Sequence, residues 1–73
     1  MREKDIKKMA KQLESLASRV HVLDQRCMYD EAEMLRKEAH RILNSVSGIN
    51  TADDDRTRVL FYMSQNARRI LHL

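Results

Sequence analysis

Apolar residues fall at Ile6, Met9, Leu13, Leu16, Val20, Leu23 and Cys27, at alternating spacings of three and four. This is a heptad seam with Ile6, Leu13, Val20 and Cys27 at a and Met9, Leu16 and Leu23 at d, and it predicts a helix over about residues 3–25. Such a narrow stripe is held mainly by what it packs against, so it calls for a partner surface from the same chain or another. A second seam runs through Met28, Ala32, Leu35, Ala39, Ile42, Val46 and Ile49, with Ala32, Ala39 and Val46 at a. Continuing the first frame would put the next a position at residue 34 rather than 32. The first a residue of the second seam thus comes five residues after Cys27 instead of seven, a shift that differs from the insertions of three or four that a continuous coiled coil absorbs. The chain is therefore expected to turn between Asp24 and Tyr29.

Local chemistry supports a turn there. Asp30 followed by Glu33 has the form of a capping box, Tyr29 and Met34 occupy the staple positions, and Asp30, Glu31 and Glu33 put acid on the positive end of the helix dipole. The second helix is expected over about 30–46, ended by Gly48 as the residue after the cap. Thr51 and Asp54 repeat the capping pattern and open a third helix over about 52–71, with Arg68 and Arg69 in its last turn. Its Leu60, Met63, Ala67 and Ile70 keep the three-four spacing, yet Val59, Phe61, Tyr62, Leu71 and Leu73 spread apolar character beyond one face. The expected architecture is all-α: a small three-helix domain spanning 1–73, built on an antiparallel helical hairpin, with the third helix folded back on it or reaching to a second subunit.

Composition strengthens the helical reading. The chain has 73 residues, one Gly and no Pro, so almost nothing in it breaks a helix. A domain this short buries a small share of its surface, and with one Cys, no Trp and no cluster of metal ligands it has no disulfide or zinc to compensate. Oligomerisation is the remaining common route. The charged start and the absence of a long apolar run argue against a secretory signal or a bilayer span, which leads to the expectation of a cytoplasmic protein with Cys27 reduced.

The net charge of +3 is unevenly placed. Residues 2–11 hold Arg2, Lys4, Lys7, Lys8 and Lys11 against Glu3 and Asp5, and the remainder of the chain is neutral. Lys4, Lys7, Lys8 and Lys11, with Arg68 and Arg69, are therefore candidates for contact with nucleic-acid phosphates. His21, His40 and His72 show no metal-ligand spacing, and Cys27 has no base at a recognisable spacing; no catalytic residue, metal or cofactor is expected. Val59, Phe61, Tyr62, Leu71 and Leu73 are the candidate partner-binding residues, because surplus aromatic and apolar side chains concentrate at contact cores.

Residues 29–43, from Tyr29-Asp30-Glu31-Ala32 through Leu35-Arg36 to Ile42-Leu43, resemble the second helix of the UVR motif, a helical hairpin of excision-repair proteins. The likeness lies in the aromatic-acid start followed by Ala and Leu-Arg and covers about a fifth of the chain. Glu33 and Lys37 depart from the pattern, which has Ala and Asp there. The resemblance implies hairpin-to-hairpin protein binding and no catalysis. Together these readings lead to an expected function as a small non-enzymatic regulator or adaptor (an inhibitor, chaperone-like protein or assembly factor). It would act by helix-mediated binding to another protein or to itself, as a homodimer or higher oligomer, without a membrane. The alternative is a small helical nucleic-acid-binding protein using the basic first helix.

Overall fold

The computed structural model describes residues 2–46 and 52–73. Within them the chain is all-helical, with α1 (Glu3–Gln25), α2 (Tyr29–Ser45), α3 (Ala52–Tyr62) and α4 (Gln65–Leu71). The expectations for Gly48, Ile49 and the Thr51 cap lie outside the described residues. At a rise of about 1.5 Å per residue α1 is some 35 Å long, and the whole chain extends 39 Å along its longest axis. α1 packs against each of the other three helices and is the element they share.

α1 ends where the frame shift places its end, but by a different device from the one expected. The Cys27 N–H donates to the Asp24 carbonyl at 3.1 Å and the Met28 N–H to the Leu23 carbonyl at 2.9 Å, with Cys27 at φ 60°. This is a Schellman motif, in which a left-handed residue folds the chain over the last free carbonyls of the helix. Cys27 is thus the helix-terminating residue and is exposed; it is not the last a position of the seam. The tightness of this turn also displaces the expected cap. α2 begins at Tyr29 rather than Asp30, Met28 is its N-cap without a side-chain hydrogen bond, and the Ala32 N–H bonds the Met28 carbonyl. Asp30 and Glu31 keep their place in the first turn, where they complement the dipole, while Tyr29 and Met34 are both exposed rather than stapled into the core.

The expected third helix is two helices. Ser64 is extended (φ −67°, ψ 153°), its hydroxyl accepts from the Ala67 N–H, and its own N–H donates to Glu14 Oε1 of α1 at 2.6 Å. The physical reason lies in the apolar pattern. On an unbroken helix Val59 and Leu71 would sit about 120° apart around the axis, so one face could not bury both. The break re-aims the chain, and Val59, Met63, Ala67 and Leu71 all enter the core.

The core also revises the seam. In α1 the buried residues are Ile6, Leu13 and Val20 at a together with Ala10 and Ala17 at e, whereas Met9, Leu16 and Leu23 at d are only partly buried. α2 repeats the arrangement: Ala32, Ala39 and Val46 at a and Leu43 at e are buried, while Leu35 and Ile42 at d lie at the rim. The e flank is closed by α3 and α4, which contribute Val59, Met63, Ala67 and Leu71 to the same cluster.

Candidate functional site

Two faces of the molecule carry groups that the fold itself leaves unused. The first is the d flank of α1 and α2. There a groove of about 540 Å³ opens between the two helices, lined by Ser18, Arg19, Val22 and Leu23 of α1 and Glu31, Met34 and Leu35 of α2. Its apolar side chains are open to solvent: Met34 is 69% exposed and Val22 43%. Arg19 stands on the α1 bank and Glu31 on the α2 bank, both exposed. Periodicity alone marks Leu23 and Leu35 as seam residues and leaves Val22 outside it. Periodicity does not tell a from d: the a residues are covered completely whether small, like Ala32 and Ala39, or large, like Ile6 and Leu13, and the d residues are left at the rim.

The second face lies on another flank of α1. Lys4, Lys7, Lys8 and Lys11 are all exposed and border a shallow cleft with Glu14 and Tyr62. The Lys7 ammonium sits 5.6 Å from the centre of the Tyr62 ring, within cation–π range. Phe61 meets Tyr62 edge to face, with centroids 5.8 Å apart and planes at 79°, and is 80% exposed. The end of α3 is held to α1 nearby by the Arg58–Glu3 ion pair and by the Glu14–Ser64 bond.

The other candidates divide. Val59 and Leu71, expected at a partner surface, are fully buried, and Leu73 is half-buried against the core. They are not surplus apolar surface, since the break at Ser64 gives them a place inside the monomer. Arg68 and Arg69 border a separate cleft with Gln65, His72 and Leu73, so they do not join the lysines.

Arg36 and His40, one turn apart on α2, serve α4 instead. Arg36 is 14% exposed; its Nε donates to the Ile70 carbonyl at 2.9 Å and its Nη2 pairs with Asp24 Oδ2 at 2.6 Å. His40 Nε2 lies 3.0 Å from the Leu71 carbonyl. Both complement the negative end of α4 and tie it to the α1–α2 turn. Tyr29 donates to the Cys27 sulfur at 3.5 Å. That bond, followed by partial loss of hydration and the Asp24 charge, raises the phenol above its ordinary value.

Among the described residues there is no group of three or more His, Cys, Asp or Glu placed to hold a metal ion. No helix among them is long and apolar enough to cross a membrane. Comparisons with protein families, curated proteins and solved structures found no match, so the likeness of residues 29–43 to the UVR hairpin is not accompanied by a family match.

Proposed function

We propose that this chain is a non-enzymatic regulator or adaptor that works by helix-mediated protein binding, and that the open d flank of α1 and α2 is its contact surface. The observation that carries the reading is the asymmetry of the two seams. In both helices the apolar residues at a and e are buried and those at d are left at the rim. A regular d stripe shared by two neighbouring helices suits coiled-coil-like packing against further helices.

The occupant is a second copy of the chain. With α1 and α2 taken as an antiparallel hairpin, two hairpins related by a two-fold axis present the same stripe to each other, as an isologous interface requires. The flanking charges match that arrangement. Beside the groove the g positions are basic on α1, with Arg19 and, just past the helix end, Arg26, and acidic on α2, with Glu31 and Glu38; the other g positions of α1, Asp5 and Gln12, lie toward its far end. Setting α1 of one copy beside α2 of the other places the basic bank opposite the acidic one, the usual device for choosing orientation in paired helices.

Sedimentation equilibrium at micromolar concentration tests this. The expected particle has twice the 8.6 kDa chain mass. Met34→Glu, at an exposed position, should return it to the monomer while leaving the helical signal intact. Arg19→Glu and Glu31→Arg should each weaken the dimer, and the two together should restore it. A wild-type protein that is strictly monomeric, or charge swaps that do not compensate, would overturn the reading.

A further inference from the structure

From the second face we infer that the chain binds single-stranded nucleic acid on the surface formed by Lys4, Lys7, Lys8 and Lys11 of α1 and the Phe61–Tyr62 pair of α3. The sequence separates these two sets by about fifty residues, and the fold brings Tyr62 to the lysines, with Phe61 edge to face against it. The four lysines lie within two turns of one helix, about 10 Å along its axis, and residues 2–11 carry all of the chain's excess positive charge. Lysines alone would suit any polyanion. The aromatic pair narrows the class: a base offers a flat face to stack on, and proteins that hold unpaired strands combine a basic track with exposed rings.

Phe61 is the informative residue. It is the most exposed large hydrophobic side chain among the described residues. Its edge-to-face contact with Tyr62 sets its orientation, and the cation–π contact of Lys7 holds Tyr62 beside the basic track. A duplex, whose bases are already stacked on one another, would use the lysines and leave this ring idle. An anionic membrane would want a broad apolar face, which the Lys4–Lys8–Lys11 flank of the helix does not have. This surface shares no lining residue with the groove between α1 and α2, so binding here does not depend on the dimer.

The test is fluorescence anisotropy with a labelled oligothymidylate of about 12 nucleotides, within the span that such platforms cover. If all four lysines meet phosphates, the logarithm of affinity should fall against the logarithm of salt with a slope of about −3, a loss of roughly 50-fold between 50 and 200 mM. Lys8→Gln and Lys11→Gln should each flatten that slope by about 0.7. Phe61→Ala should weaken binding about fivefold or more with the slope unchanged, and Phe61→Tyr should retain it. Both Phe61 variants should keep the wild-type unfolding midpoint, since the ring is exposed. Absence of binding at low salt overturns the inference, as does a Phe61→Ala variant that binds like wild type. Equal affinity for a duplex of the same length reassigns the face to phosphate contact alone, and Phe61-dependent retention on anionic phospholipid vesicles reassigns it to a membrane surface; either overturns the inference.

Discussion

The α1–α2 pair and the α3–α4 pair solve the same packing problem in opposite ways. In α1 and α2 the apolar residues repeat with a strict heptad, and both helices run unbroken for 23 and 17 residues. In α3 and α4 the apolar residues follow no single stripe, and the chain breaks at Ser64 to produce helices of 11 and 7 residues, each turned separately toward the core. Periodic sequence makes a long, self-consistent surface that leaves one flank over. Aperiodic sequence makes short elements that depend on contacts from elsewhere: Glu14 at the start of α4, Arg36 and His40 at its end.

The largest expected effect tests the periodic pair. Leu13, fully buried at the centre of α1, contributes to the core that every helix shares, and Leu13→Ala should cost about 3–4 kcal/mol in urea unfolding. A loss under about 1 kcal/mol would mean that the a layer is not the foundation of the fold. Arg36→Ala should come next, at about 2–3 kcal/mol, because it removes a charge-assisted bond from Asp24 and leaves the Ile70 carbonyl without its donor. Hydrogen exchange should show its effect concentrated in α4. If protection falls evenly over all four helices, α4 is not a separately tethered unit.

Two smaller changes sharpen the comparison at the points where each pair turns. Ser64→Ala removes the only side-chain cap at a helix start among the described residues, and a cost of about 1 kcal/mol is expected in the unfolding midpoint. Cys27→Gly should act in the other direction. A non-glycine residue at φ 60° is disfavoured by about 1–2 kcal/mol, part of which glycine returns through its freer unfolded chain, so a net stabilisation of about 0.5 kcal/mol is expected. A destabilised Cys27→Gly variant would show that the Tyr29–Cys27 contact outweighs the backbone preference of the turn.

Much of the periodic pair is legible in the amino-acid sequence. The absence of Pro, the two seams and the frame shift between them are local properties of the chain, and they locate α1 and α2 to within a residue at their shared turn. The candidate site is legible only in part. Lys4, Lys7, Lys8, Lys11, Phe61 and Tyr62 stand out by type and position, but Val59 and Leu71 look equally surplus. Whether an apolar residue is spare depends on which way its helix faces, and that is altered by a hydrogen bond from Ser64 to a residue fifty positions earlier.

The sequence by itself determined that this protein is helical, where its first long helix turns, and that its excess charge gathers at one end. These follow from propensity, period and composition, which act over a few residues at a time. The tertiary structure alone decided that a and e rather than a and d are buried, that the last helix divides, and that lysines from one end of the chain sit beside aromatic rings from the other. Each is a competition between alternative partners for the same surface. A heptad states that a helix has an apolar side, but only the arrival of α3 and α4 on the e flank settles which edge of that side is left open.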